Sequence, residues 1–142
     1  MTILFTHADE VINDISAYLK ADPGLSTFNF YTNEIVFLQE YELPAILLYS
    51  SKNYPSNDRD RTTLGDHERI IEFRVELRGS VTNPMNYPTV ADTIYKDLLL
   101  YKAEKKTLKY VGNPTYQIGL DEKQPNEVAA TLDVPLVYQG RP

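Results

Sequence analysis

The sequence predicts an α+β domain in which a mostly antiparallel sheet of about five strands carries two helices on one face. Three observations predict this class. Two segments space their apolar residues as amphipathic helices do, one segment alternates apolar and charged residues strictly, and the elements follow the order helix, two strands, long loop, strand, helix, hairpin. A chain of 142 residues without an internal repeat or linker forms one domain, spanning residues 1–142.

The first helix is predicted from about Ala8 to Lys20, with Thr6 as its N-cap. The turn 22–24 contains proline and glycine and ends it. Its apolar stripe consists of Val11, Ile12, Ile15 and Leu19. The residues predicted to face water are Asp9, Glu10, Asn13, Asp14 and Ser16.

Two strands are predicted after this helix, from Phe28 to Val36 and from Ala45 to Ser50. Both segments are rich in aromatic or β-branched residues. The second is almost wholly apolar, as expected for a central strand that is covered on both faces. Pro44 stands at its start, where a missing amide donor is tolerated.

A long, flexible polar loop is predicted at about 51–66. A connection of this length is usually functional or disordered. Acidic residues at 58, 60, 66 and 68, together with His67, suggest a metal site. Their spacing matches no known metal loop, however, and Arg59 and Arg61 would repel a cation. The loop is therefore predicted to bind no metal, and its role is sought in contacts with a partner.

The clearest strand is predicted from His67 to Arg78. Its apolar residues, Ile71, Phe73, Val75 and Leu77, fall on one face. Residues of alternating charge fall on the other: Glu72, Arg74, Glu76 and Arg78. The charged row is typical of a solvated sheet face with cross-strand ion pairs, but a subunit interface or channel wall would give the same pattern. The alternation indicates two environments without identifying the second.

The second helix is predicted from Pro88 to about Tyr101, followed by a hairpin of strands 115–120 and 128–138. Pro135 suggests an edge or a bulge in the last strand. The residues predicted on the buried side of the helix are Ala91, Ile94, Tyr95, Leu98 and Tyr101. Those predicted outside are Asp92, Lys96 and Asp97.

The composition excludes several classes of chemistry. The chain has no cysteine, and its two histidines, His7 and His67, belong to no motif with a nucleophile. No glycine-rich phosphate loop is present. We therefore expect no enzyme activity, no cofactor and no metal. A net charge of −6 opposes binding to nucleic-acid phosphates, and the absence of a signal or membrane-spanning segment predicts a soluble, cytoplasmic protein.

The arrangement resembles the tail terminator, or tail-completion, proteins of long-tailed bacteriophages, the group that includes minor tail protein U of lambda-like phages. The resemblance covers nearly the whole chain and is one of pattern. It consists of the N-terminal helix, the apolar strand introduced by Leu43-Pro44, the long polar loop, the strand from Glu68 to Arg78, the helix from Val90 to Tyr101, and a last strand ending in Leu136-Val137-Tyr138.

The resemblance implies a viral structural protein that forms a hexameric ring on the tail tube, stops its polymerisation and presents a surface to the connector of the head. DNA would pass through the lumen without specific binding. The protein would be assembled in the host cytoplasm and reside at the head-proximal end of the virion tail. From this sequence alone, the residues expected at partner interfaces are Asn57, Asp58, Arg59, Asp60, Arg61, Glu72, Arg74, Glu76 and Arg78.

Three other classes remain open. A head-completion or neck protein would also form a ring at the head–tail junction, and only its partner would distinguish it. A small ligand-binding or enzymatic α+β domain would need a pocket with convergent titratable groups. A nucleic-acid module would retain DNA in a salt-dependent manner.

Overall fold

Two helices and a six-stranded, mostly antiparallel mixed sheet form the fold, which we describe from a computed structural model for residues 8–33, 38, 42–55, 68–105, 107–120 and 127–139. The elements are α1 (Ala8–Lys20), β1 (Asn29–Thr32), β2 (Ala45–Pro55), β3 (Glu68–Ser80), α2 (Tyr87–Lys105), β4 (Leu108–Val111), β5 (Thr115–Leu120) and β6 (Glu127–Gln139). The predicted α+β class is confirmed. Neither helix is long and apolar enough to cross a membrane.

The sheet is organised around two long strands at its centre. Its order is β1-β2-β3-β6-β4, and β5 pairs with β6 on the same side as β4. Strands β3 and β6 pair without interruption from Glu68↔Gln139 to Ser80↔Glu127, a length of roughly 43 Å. Only β1, parallel to β2, departs from the antiparallel arrangement.

The main core lies between the helices and one face of the sheet. The apolar side chains that α1 and α2 bury join those of β2, β3 and β6 in a single cluster. Ile71, Phe73, Val75 and Leu77 of β3 are fully buried there, which confirms the predicted alternation. Each such side chain contributes about 1.5–3 kcal/mol when it leaves water, so this face holds the two layers together.

Strand β2 is buried on both faces, as its apolar sequence predicts. Ile46 and Leu48 belong to the core beneath the helices. Ala45 and Leu47 pack with Leu43 in a second, smaller cluster on the opposite side of the sheet. The strand begins directly after Pro44, which confirms the predicted start.

Strand β1 is shorter than predicted. It runs from Asn29 to Thr32 instead of from Phe28 to Val36. Asn33 follows it with a φ of 62°, a conformation that asparagine tolerates better than most residues, and this turns the chain out of the strand. Residues 34–36 lie outside the described part of the chain.

The predicted start of the polar loop, at about residue 51, is too early in the sequence. Residues 51–55 continue β2 and pair with β3 as far as Pro55↔Arg69, after a register shift between Ser50 and Lys52. Backbone pairing does not require apolar side chains, so polarity alone gave the wrong end of this strand. The remainder of the predicted loop, residues 56–66, lies outside the described residues.

Pro135 lies in an interior strand, which corrects the predicted edge. Along β6, the residues up to Asp133 pair with β5, and those from Leu136 onwards pair with β4. Pro135 lies between these two pairings. The amide of Gly112 donates to the Pro135 carbonyl over 2.8 Å. Because the amide and carbonyl of one residue in a strand point to the same side, the missing N–H of the proline falls at the junction between β4 and β5.

Candidate interaction surface and a buried carboxyl pair

The sheet face opposite the helices carries the charged residues that the sequence singles out. We call it the outer face, and it comprises Tyr49 of β2, Glu72, Arg74, Glu76 and Arg78 of β3, and Thr131, Asp133 and Pro135 of β6. No described helix covers it, since both helices pack on the other side. Even so, every one of these residues is half-buried, and Leu38 and Leu43 pack on the same side of the sheet against Ala45 and Leu47, the register partners of Arg78 and Glu76.

Arg74 and Asp133 form a bidentate ion pair across the centre of this face. They are direct partners in the β3–β6 register, and the Arg74 Nε and Nη2 atoms lie 2.7 and 3.1 Å from the two carboxylate oxygens. Asp133 raises the pKa of Arg74 above its usual value. The side chains remain 37% and 24% exposed, so solvent screens the pair and it contributes at most about 1 kcal/mol to stability.

Glu76 is the acceptor of a second polar cluster on the same face. The Tyr49 hydroxyl donates to Glu76 Oε1, and Nε and Nη2 of Arg78 donate to Glu76 Oε2 over 3.1 and 3.0 Å. Burial, followed by the contact with Glu76, raises the pKa of Tyr49 to about 12. The hydroxyl therefore remains a protonated donor throughout the neutral range.

These contacts make the outer face polar but largely charge-compensated. Arg74 and Arg78 each bind a carboxylate of their own subunit, and Glu68 at the end of the row lies 3.2 Å from the Lys109 ammonium. A surface of this kind lacks the excess of free cations that phosphate binding requires. It can instead meet a protein surface whose polar groups match it.

The structure brings together four of the nine predicted interface residues. Glu72, Arg74, Glu76 and Arg78 lie in one row on the outer face, as their alternation predicts. The other predicted interface residues, Asn57, Asp58, Arg59, Asp60 and Arg61, lie outside the described residues, as do Asp66 and His67 of the rejected metal site. The predicted role of that segment stays a prediction.

Strand β5 offers a second surface that the sequence did not single out. It pairs with β6 and with no other described strand, so no strand in the described part of the chain pairs with its far side. Its sequence, Thr115–Leu120, contains no charge and no proline, and its register with β6 has no bulge. Ile118 is 53% exposed. Charges, prolines and bulges usually protect an edge strand from pairing with other chains. Because β5 has none of these features, its edge is suited to such pairing.

A pair of carboxyl groups lies at the contact between the two helices. Asp97 projects from α2 towards Asp22, which follows the end of α1, and both line a cavity of about 290 Å³ together with Tyr18 and Ala21. Asp97 is only 8% exposed, so the prediction that it faces water is wrong. Within the described part of the chain, no donor group reaches its buried Oδ2 atom.

The pKa values of the two carboxyl groups shift in opposite directions. Burial, followed by interaction with Asp22, raises the pKa of Asp97 to about 7. The hydrogen bond with Asp97, and then the Gly24 amide at 2.8 Å, lower the pKa of Asp22. Below about pH 7 one proton is therefore held between them, and it resides on Asp97.

Comparison with protein-family models and with curated protein sequences identifies no relative. No protein-family model matches the chain, and no curated protein sequence matches it. The resemblance to phage tail terminators accordingly remains a prediction from the sequence pattern.

Proposed function

We propose that this chain is a ring-forming structural subunit that caps a bacteriophage tail tube, as the tail terminator proteins do. The observation that carries the proposal is the unequal treatment of the two sheet faces. Helices cover one face, whereas the outer face holds a row of half-buried, internally paired charges that no described helix covers. Such a face is arranged for contact with a neighbouring protein.

The internal pairing of the outer face, which a solvated sheet face also shows, lowers the cost of using this face as an interface. Arg74 is already oriented by Asp133, and Arg78 by Glu76. Side chains that are ordered before binding lose less conformational entropy when a partner arrives. Charges that are paired beforehand also reduce the free-energy cost of removing them from water.

The open edge of β5 supplies the second surface that a ring needs. A ring closes through heterologous contacts, in which one patch of each subunit meets a different patch of the next. The outer face and the β5 edge differ in chemistry, one charged and one uncharged. Two unlike surfaces on one subunit therefore support a head-to-tail assembly in preference to a symmetric dimer.

The overall charge agrees with a lumen through which DNA passes. A net charge of −6 repels phosphates at short range, so a ring of such subunits guides a duplex without retaining it. In this proposal the ring sits at the head-proximal end of the virion tail, between the tail tube protein and the connector of the head.

A charge swap tests the role of the outer face. Arg74→Glu combined with Asp133→Arg keeps an ion pair within the subunit but reverses the charges that a neighbour meets. We expect the double variant to fold with near-normal stability and to lose ring formation, measured by mass photometry with tail tubes present. Lys105→Glu, an exposed change at the end of α2, is the matched control and should assemble normally.

Two outcomes would contradict the proposal. Assembly of the charge-swapped variant at the normal concentration would remove the outer face from the interface. Rings that bind the head connector but not tail tubes would make the protein a neck component instead of a terminator.

A further inference from the structure

The proposed assembly surfaces leave one feature of the helix layer unused, the carboxyl pair of Asp22 and Asp97. Asp97 lies about midway along α2 and Asp22 lies two residues beyond α1. Both line the same cavity of about 290 Å³. Asp97 is buried and Asp22 is half-buried, and a buried carboxyl group beside a second one is stable only when a proton or a cation compensates the pair.

Among the residues that the structure describes, no buried cation compensates this pair. Lys96, the next residue on α2, is exposed, and its attraction is the weakest of the influences on both carboxyl groups. Within the described residues, Asp97 forms no ion pair with any lysine or arginine. A proton is therefore the group that holds the two carboxyl groups together.

The other titratable groups around the cavity also favour a proton. Tyr18 of α1 lines the cavity and packs edge-on against Tyr101, with ring centroids 5.4 Å apart. Burial first, and then hydrogen bonding to Glu104 of α2, raise the pKa of Tyr18, so its hydroxyl stays neutral. Glu104 and Asp97 add negative charge near the cavity, and Lys96 supplies the opposing positive charge.

We propose that Asp22 and Asp97 form a proton-dependent latch that ties the end of α1 to the middle of α2. With the proton bound, neutral Asp97 donates a hydrogen bond to the Asp22 carboxylate and the latch is closed. Once the proton is lost, two carboxylates face each other in a confined site, and their repulsion separates them towards the cavity. The turn that carries Asp22 then opens more often.

The sign of the pH effect follows from the two acidities. The pKa of Asp97 is about 7 in the closed latch and returns to about 3.9 when the group is exposed. The closed form thus binds a proton more tightly, so its stabilisation is complete in acid and is lost as the pH rises to about 7. The lowered pKa of Asp22 acts oppositely, but only in more acidic solution, below the usual aspartate pKa.

Carboxyl NMR titration of the intact chain tests the latch directly. We expect the ¹³C carboxyl signal of Asp97 to titrate with a midpoint near 7 and that of Asp22 below its usual range. The Asp92 carboxyl, exposed on the same helix, is the internal reference. A midpoint for Asp97 near 4 would overturn the proposal.

Hydrogen exchange tests the structural consequence. The reporters are the amides of Leu25 and Ser26, which donate to the Asp22 carbonyl at 2.9 and 3.0 Å. After correction for the intrinsic exchange rate, we expect their protection to fall roughly tenfold between pH 6 and pH 8, as a shift of this size requires.

Two variants separate the latch from a general effect of pH. Asp97→Asn keeps a neutral donor at every pH, so the protection of Leu25 and Ser26 should no longer change between pH 6 and 8. Asp92→Asn should behave like the natural chain. Protection that is constant in the natural chain, or that still falls in Asp97→Asn, would refute the latch.

Discussion

Several polar side chains of the helix layer form hydrogen bonds with other parts of the fold. Ser16 of α1 exchanges a hydrogen bond with the Thr32 hydroxyl of β1 over 2.9 Å. Asp14 accepts a hydrogen bond from the Tyr101 hydroxyl, which in turn accepts one from Thr107. The Ser16–Thr32 and Asp14–Tyr101 contacts join α1 to segments that are distant in sequence, so these residues fix the orientation of α1 as well as its attachment.

We predict that the hydroxyl of Tyr101 contributes more to the free energy of unfolding than the hydroxyl of an exposed tyrosine does. Tyr101→Phe leaves Asp14 and Thr107 without their shared partner in a buried site, and we expect a loss of about 1–3 kcal/mol in the free energy of unfolding. Urea denaturation followed by circular dichroism measures it. Tyr110→Phe, at a position that is 55% exposed, is the control and should change stability little. Equal effects would contradict the assigned role.

Gly112 is required by the close approach of two strands. A Cβ atom at this position would lie 2.3 Å from Cγ of Pro135, beside the Gly112–Pro135 hydrogen bond. We expect Gly112→Ala to lower the free energy of unfolding by about 1–3 kcal/mol. Gly119→Ala, where the added carbon meets no atom within 4 Å, is the matched control. If both variants denature alike, the close approach is not what selects glycine.

Polar residues on the helices were the least predictable part of the sequence. Asp14, Ser16 and Asp97 were all predicted to face water, yet Ser16 and Asp97 are buried and Asp14 is half-buried. A signal for Asp97 was present, since it follows Val90 and Ile94 and precedes Tyr101 at spacings of three and four residues. The polarity of an aspartate predicts exposure and its helical spacing predicts burial, and for Asp97 the spacing is correct.

At the scale of whole elements, the apolar pattern decides which strands and helices form. Helix α1 has the predicted bounds, Ala8–Lys20, and β5 likewise matches its predicted range. Helix α2 ends at Lys105, four residues beyond its predicted end, and the end of β2 and the whole of β4 depend on pairing with distant residues. Strand β2 continues through a polar segment because β3 lies beside it, and β4, which was not predicted, pairs only with the end of β6 among the described strands.

The two faces of β3 are predicted to respond differently to the same change. Ile71 is fully buried beneath the helices, whereas its neighbour Ile70 is half-buried on the opposite face. We expect Ile71→Val to lower the free energy of unfolding by about 0.5–1.5 kcal/mol and Ile70→Val to have a smaller effect. Thermal denaturation of both variants provides the comparison. A larger loss at Ile70 would contradict the placement of the core.

The edge of β5 is predicted to matter for assembly and not for folding. Ile118→Lys places a charge on an exposed edge, a device that proteins use to prevent strand pairing. We expect an unfolding free energy within about 0.5 kcal/mol of the natural chain, as for most surface changes, together with weaker ring formation by mass photometry. Val81→Lys, at a 77% exposed position, is the control. Unchanged assembly of Ile118→Lys would exclude this edge from the subunit contact.

In the molecule as a whole, the helix-covered side of the sheet and the opposite side have different roles. The helix layer and the buried sheet face provide stability, whereas the outer face and the β5 edge are the surfaces that we propose for contact with other chains. The sequence predicted the row from Glu72 to Arg78 because alternation is local information. It could not predict the partnership of Arg74 with Asp133, which depends on a strand nearly sixty residues away.

The central claim is that this chain closes a ring and caps a tube. Electron microscopy of the purified protein, alone and mixed with tail tubes, tests it most directly. We expect sixfold rings at one end of each tube, and we expect that a tube no longer elongates once a ring is bound. A protein that stays monomeric at high concentration, and leaves tube ends bare and able to elongate, would contradict it.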